Sequence, residues 1–126
     1  MTKIDLKTML KKIVIAFTVL PAMCILAPNA DAKPAKCVVR QGGDQVLNSQ
    51  CNFQFTGNNG SFSLTRINGG EIIPSITDIS VYIVSDGLAE VRGLTINGNN
   101  SRWGQARRNT SDPACWTGSD FEICAY

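Results

Sequence analysis

The stretch Cys51-Asn-Phe-Gln-Phe-Thr-Gly-Asn-Asn-Gly-Ser-Phe-Ser-Leu-Thr-Arg66 decides the fold. Its first six residues alternate apolar and polar side chains, and the alternation resumes with Phe62 and Leu64. An apolar period of two is typical of a β-strand with one buried face. Residues 57–60 tolerate positive φ, so the stretch predicts a β-hairpin.

Similar runs continue on both sides of this hairpin. Residues 37–40 predict a first strand, and Ile79, Val81 and Ile83 share the buried parity of a later one. In residues 71–76, Pro74 cannot donate to a ladder, which predicts an edge position or a bulge.

The run from Leu88 to Ile96 changes parity part-way along. Ala89 and Val91 share one parity and Leu94 shares the other with Ile96, so Gly93 is predicted to mark a bulge that switches faces.

The repeated pattern of short strands and Gly/Asn turns predicts the fold class. No stretch of residues 33–126 sustains an apolar period of 3.6, although residues 101–109 could hold a short helical turn. We predict an all-β domain, a small disulfide-stapled antiparallel sandwich or barrel of about seven short strands. The alternating run 121–126 predicts a last strand that closes the sheet.

Residues 1–32 have the features of a secretory signal peptide. Four lysines precede an apolar core at residues 13–27, and Ala30-Asp-Ala32 provides a small-x-small cleavage site. The core is shorter than the roughly 20 apolar residues that span a bilayer. We therefore predict cleavage, no stable membrane insertion afterwards, and one exported domain, periplasmic or extracellular, at residues 33–126.

Four cysteines remain after the leader: Cys37, Cys51, Cys115 and Cys124. An even number in an oxidising compartment predicts two disulfides. Zinc is less favoured because the chain has no His and no C-x₂-C spacing. Of the three possible connectivities we favour Cys37–Cys51 with Cys115–Cys124, since each closes a short loop. We predict no metal and no cofactor.

The charge of the chain is concentrated in its leader. The four Lys and two Asp of residues 1–32 account for the whole formal net charge of +2, which leaves a neutral domain. A neutral domain lacks the basic field of a nucleic-acid binder, so no nucleic-acid partner is predicted.

Catalytic patterns are weak in this sequence. The absence of His excludes Ser-His-Asp and Cys-His arrangements, and no nucleotide-binding glycine motif occurs. A hydrolase would have to draw carboxylates from Asp112, Asp120 and Glu122. We predict that the protein is not an enzyme.

The strongest functional signal is a cluster of arginines and tryptophans near the C-terminus. Arg and Trp dominate binding hot spots, which makes the 101–108 segment, predicted as a loop, the candidate partner-binding site. Its residues are Arg102, Trp103, Arg107 and Arg108. Trp116 is instead predicted to pack on the neighbouring disulfide. The alternative for the arginines is pairing with Asp112, Asp120 and Glu122.

These observations favour a non-enzymatic periplasmic or secreted binding protein that recognises a protein or an acidic glycan, in an inhibitor- or adaptor-like role. The alternatives are a structural, envelope-stabilising domain without a discrete ligand, and a small carboxylate-dependent hydrolase. The plan of a secreted two-disulfide β-domain with an Arg/aromatic loop is similar to that of bacterial periplasmic lysozyme inhibitors. That resemblance is to the general plan and carries no residue role. The oligomeric state is left open.

Overall fold

A computed structural model of the chain describes residues 32–126, which form eight antiparallel β-strands and no helix. The strands are β1 (Lys33–Gln41), β2 (Asp44–Phe55), β3 (Phe62–Thr65), β4 (Ile76–Ser85), β5 (Leu88–Thr95), β6 (Asn100–Arg108), β7 (Cys115–Thr117) and β8 (Phe121–Ala125). Each strand pairs with the next, and β8 pairs with β1 to close a barrel. The all-β prediction is confirmed, and the sheet is a barrel rather than a sandwich. The predicted leader lies outside the described residues, apart from Ala32, and remains a prediction.

The interior of the barrel is filled by side chains from the inward face of each strand. Members of this cluster that are fully buried include Val39, Leu64, Ile79, Val81, Val91 and Ile123. The predicted inward faces of the hairpin 51–66 and of β4 are confirmed at the buried positions Cys51, Phe62, Leu64, Ile79 and Val81. Phe55, at the terminal end of β2, departs from the prediction because it is 51% exposed. Burying one such side chain contributes about 1.5–3 kcal/mol, so this cluster is the main favourable term in folding.

The predicted change of face at Gly93 is wrong. Gly93 is buried like Val91, two residues before it, whereas Ile96 is 55% exposed. The bulge lies in β6 instead, where one extra residue opposes the Val91/Arg92 step of β5. A Cβ on Gly93 would lie 3.0 Å from Nε1 of Trp103, so glycine leaves room for the indole.

Pro74 lies in the connection between β3 and β4 rather than within a strand. In this connection Ile72 and Ile73 are buried against the inner cluster, and Ile73 forms an isolated bridge with Ile76. The segment therefore covers one end of the barrel, and Pro74 is exposed where no ladder hydrogen bond is required of it.

Both predicted disulfides are confirmed. Cys37–Cys51 joins β1 to β2, and Cys115–Cys124 joins β7 to β8. In the chain-entropy model, closing loops of this size contributes about 3 kcal/mol each. Both bonds fit an oxidising environment.

The connections lie alternately at two ends of the barrel because consecutive strands are antiparallel. We call the end with residues 56–61, 86–87 and 109–114 the terminal rim, since Lys33 and Tyr126 also lie there. We call the other end, with residues 42–43, 66–75, 96–99 and 118–120, the distal rim. β7 starts at the terminal rim and has only three residues, so it pairs with only Arg107 and Arg108 of β6.

Candidate functional site

The predicted Arg/Trp segment is a strand and not a loop. β6 pairs with β5 from Leu88–Arg107 to Leu94–Asn100, and this ladder holds the segment extended. β6 runs from the distal rim to the terminal rim. The four predicted site residues are therefore separated into two pairs, one at each end of the strand.

The distal pair is Arg102 and Trp103. The Arg102 guanidinium donates to both carboxylate oxygens of Glu90, at 2.9 and 2.5 Å. Trp103 is half-buried against the inner cluster and makes an edge-to-face contact with Phe121, with ring centroids 5.7 Å apart. Trp103 is thus part of the packing of the barrel, which corrects the prediction that it sits on an exposed loop.

The terminal pair is Arg107 and Arg108. The Arg108 guanidinium lies 4.8 Å from the centroid of the Trp116 ring, in cation–π geometry. Within residues 32–126 no carboxylate lies within 4.0 Å of this guanidinium. Arg107 is exposed and likewise forms no ion pair with a described residue. Of the three acids considered as partners of these arginines, Glu122 pairs with Arg40, and Arg102 pairs with Glu90 of β5.

Trp116 is buried as predicted, with 2% of its surface exposed, but its surroundings differ from the prediction. It belongs to the inner cluster, whereas Cys115 and Cys124 form a separate buried cluster with Val38. Successive side chains of a strand point to opposite faces, so Trp116 and the adjacent disulfide lie on different sides of the sheet.

A cavity of about 430 Å³ opens at the terminal rim around this Arg–Trp pair. Its lining comes from the 56–61 loop, from the β4–β5 turn and from the facing ends of β6 and β7. The lining residues are Asn59, Gly60, Ile83, Val84, Ser85, Asp86, Gly87, Arg108 and Trp116. Its volume falls in the range of small-molecule pockets. The distal rim holds a smaller cleft of about 230 Å³, between Trp103, Phe121, Arg102, Gln41 and Asp120.

Hydrogen bonds fix one wall of the cavity. Asn59 donates from Nδ2 to the Ile83 carbonyl at 3.0 Å, and its Oδ1 accepts from the Ser61 hydroxyl at 2.8 Å. The Ile83 amide donates to Oγ of Ser61 at 2.8 Å, which completes the link. The 56–61 loop is therefore held against β4, and the cavity is pre-formed.

Sequence reasoning missed the other residues around this cavity. In the sequence, Asn59 belongs to the predicted turn 57–60, and Ser85-Asp-Gly87 likewise indicates only a turn, because Gly, Asn, Asp and Ser in such runs mark a change of chain direction. Their convergence on Arg108 depends on barrel closure, which no local pattern encodes.

The three carboxylates considered for hydrolysis do not form one group, although the charges of Asp112 and Glu122 both act on Tyr126. Asp112 and Asp120 lie in connections at opposite rims, and Glu122 lies within β8. Glu122 accepts hydrogen bonds from Arg40 at 3.1 Å and from the Thr117 hydroxyl at 2.7 Å. Asp112 and Glu122 are both engaged by other side chains of the barrel, namely Tyr126 for Asp112 and Arg40 and Thr117 for Glu122.

Asp112 has a structural partner at the C-terminus. The Tyr126 hydroxyl donates to Oδ2 of Asp112 at 2.5 Å. This hydrogen bond, with smaller contributions from desolvation and from the Asp112 charge, raises the pKa of Tyr126 above its ordinary value of 10.0. The contact attaches the last residue of the chain to the β6–β7 connection.

The described residues contain one grouping of metal-ligand types, namely Cys115, Glu122 and Cys124. Both sulfurs belong to a disulfide, so neither is available as a thiolate ligand. Within residues 32–126, no helix has the length and apolarity needed to cross a membrane.

Comparison of the chain with protein-family models, curated proteins and solved structures found no match.

Proposed function

We propose that this protein is a non-enzymatic, exported binding protein that recognises an acidic glycan at the terminal rim. The observation that carries the proposal is the Arg108 guanidinium, stacked on Trp116 in the largest of the cavities described for residues 32–126. The leader predicted at residues 1–32 and the two disulfides support a periplasmic or extracellular location.

A carboxylate is the ligand group that best suits Arg108. A guanidinium presents a planar fork of N–H donors that matches the two oxygens of a carboxylate. Stacking on the Trp116 ring restricts the orientation of the Arg108 fork, so less entropy is lost when a ligand binds. Because Arg108 forms no ion pair within the described chain, its donors are available to a ligand.

The rest of the lining suits a sugar ring. Ser85, Asp86 and Asn59 place polar groups around the cavity, where they can exchange hydrogen bonds with ligand hydroxyls. Ile83 and Val84 supply apolar surface for the C–H face of the ring. A uronic acid carries these features on a single residue: a carboxylate, hydroxyls and a C–H face.

The composition of the cavity also favours binding over glycoside hydrolysis. Retaining and inverting glycosidases commonly use a pair of carboxyl groups that flank the scissile bond. The lining of this cavity includes one carboxylate, that of Asp86. A second acidic residue in the required position is not among the described residues that line it.

Calorimetric titration with a panel of acidic oligosaccharides tests the proposal. Each oligosaccharide is paired with its methyl-esterified form, which keeps the ring and removes the charge. We expect at least one acidic form to bind at least 10-fold more tightly than its ester, which corresponds to about 1.4 kcal/mol.

Arg108→Ala is expected to abolish this preference for the acid, and Arg108→Lys to weaken it because an ammonium lacks the planar fork. Arg107→Ala is the matched control, since it removes the same charge from the adjacent, exposed position. Equal binding of acid and ester, or unchanged binding by Arg108→Ala, contradicts the proposal.

A further inference from the structure

One side of β6 lacks a neighbouring strand over most of its length. β7 pairs with β6 only at Arg107 and Arg108, while β5 covers the other side from Asn100 to Arg107. In the described chain, residues 100–106 therefore have a ladder partner on one side only. At about 3.4 Å per residue this edge is roughly 20 Å long.

The direction of the backbone groups follows from the adjacent hydrogen bonds. The Arg108 amide donates to the Gly87 carbonyl on the β5 side at 3.0 Å, and the Asn109 amide donates to the Cys115 carbonyl on the β7 side at 2.9 Å. Alternate residues of a strand direct their backbone groups to the same side. The N–H and C=O of Gln105 therefore point to the side without a strand.

The distal cleft lies beside this edge. Its volume of about 230 Å³ suits one side chain. The Trp103 and Phe121 rings offer a contact for an apolar or aromatic group, while Arg102, Gln41 and Asp120 make the rest of the lining polar. An extended segment pairing with β6 would direct alternate side chains to each face of the sheet, so one of them can enter this cleft.

The charges beside the edge select among possible occupants. The side chain of Arg102 is 65% exposed, and Arg107 is exposed at the terminal end of the same strand. A second copy of β6 would bring its own arginines close to these, and like charges across a ladder destabilise pairing. An acidic strand gains the opposite interaction with Arg107, which forms no ion pair with a described residue, and a weaker one with Arg102, which already pairs with Glu90. Asp120 disfavours an acidic side chain in the cleft itself, which is where the apolar side chain of the strand would lie.

We propose that the open edge of β6 binds an extended, acidic segment of a partner protein by strand addition, with one apolar side chain in the Trp103–Phe121 cleft. The main-chain hydrogen bonds of Gln105 provide affinity, and the cleft and the two arginines provide selectivity. This site is separate from Arg108 and does not depend on the glycan proposal.

NMR titration of the exported domain with two blocked synthetic decapeptides tests this inference. Both peptides alternate valine with a charged residue around a central phenylalanine, and they differ only in carrying glutamate or lysine. We expect the glutamate peptide to bind with a Kd below about 1 mM and at least 10-fold more tightly than the lysine peptide. We also expect slower exchange of the Gln105 amide hydrogen and a shift of the Trp103 indole N–H signal.

Two variants locate the interaction. Gln105→Pro removes the outward N–H without removing a bond to β5, and it should reduce affinity at least 10-fold. Arg102→Glu with Arg107→Glu should reverse the preference towards the lysine peptide, which keeps the inference testable if the proline variant fails to fold. Arg66→Glu, in the exposed β3–β4 connection, is the charge control and should leave both affinities within twofold.

Several results would overturn the inference. They are equal affinity for the two peptides, absence of binding at about 1 mM peptide, or a dimer formed through β6 without peptide. Signal changes confined to Phe53 and Phe55 would also overturn it, because these contacting rings at the terminal end of β2 include the 51% exposed Phe55, a different apolar surface. None of these results bears on the acidic oligosaccharides, because Arg108 is not changed in either variant.

Discussion

Gly118→Ala gives the sharpest test of the packing at the distal rim. An ideal Cβ on Gly118 would lie 2.2 Å from Cε1 of Phe121 and 2.3 Å from Cζ. Carbon atoms in contact are normally about 3.5–4.0 Å apart, so the ring must retreat by more than about 1 Å. The Gly118 amide also donates to the Phe121 carbonyl at 2.8 Å, so a backbone shift would break this hydrogen bond.

The cost follows from what the Phe121 ring now contacts. The ring is buried and makes an edge-to-face contact with Trp103. Expelling it loses up to about 1.5–3 kcal/mol of burial and about 0.5–1.5 kcal/mol of aromatic contact. We expect Gly118→Ala to lower the free energy of unfolding by about 2–4 kcal/mol, and the Tm by at least about 8 °C for a domain of this size.

Thermal unfolding followed by circular dichroism measures this effect, and two variants control it. Gly57→Ala places its Cβ at an ordinary 3.4 Å from Oδ1 of Asn59 and should change the Tm by less than about 2 °C. In a Phe121→Ala background, Gly118→Ala should change the Tm only slightly, because the ring that the new Cβ would clash with has been removed. If Gly118→Ala alone melts within about 2 °C of the parent protein, the reasoning about this contact is refuted.

Two further predictions concern the aromatic residues. Trp116→Ala should lower the free energy of unfolding by about 3–5 kcal/mol, measured by urea unfolding. Trp103→Ala should lower it by about half as much because Trp103 is half-buried. A Trp103→Ala effect below about 0.5 kcal/mol would contradict the packing of Trp103 against Phe121. The hydrogen bond from Tyr126 to Asp112 raises the pKa of Tyr126. The stabilisation of the fold by this hydrogen bond is therefore complete below the ordinary tyrosine pKa of 10.0 and is lost as pH rises through the raised pKa of Tyr126. Tyr126→Phe should therefore be less stable than the parent at pH 8 and lose that difference at higher alkaline pH, measured as the difference in Tm; a difference independent of pH would contradict it.

The parity of apolar residues was sufficient to predict most of the barrel wall. Phe62, Leu64, Ile79 and Val81 lie inward because each strand has a single buried face, and a period of two follows directly from that geometry. The disulfide pairing was predictable for a related reason, since a hairpin brings the cysteines at its two ends together.

The segment 101–108 was not predictable in the same way. The extra residue at the bulge shifts its parity between Gly104 and Arg102, so its sequence lacks the alternation of a regular strand. The prediction for Gly93 was wrong because the residue is required by the close approach of the Trp103 indole. Trp103 lies on a neighbouring strand, so the local sequence around Gly93 does not show this contact. The sequence does not reveal the terminal cavity, because four segments that are separate in the chain form it.

Closure of the barrel has a consequence for how the chain folds. β1 and β8 pair through Val39–Ile123 and neighbouring positions, and Lys36 exchanges two backbone hydrogen bonds with Tyr126. Each disulfide lies within one hairpin, with sequence separations of 14 and 9, so neither covalently bridges this seam. The seam joins the two most distant parts of the domain and has the largest loop-closure cost, so it should form last. A chain that becomes available from N to C would therefore hold β1 as an unpaired edge on its β8 side until β8 is present.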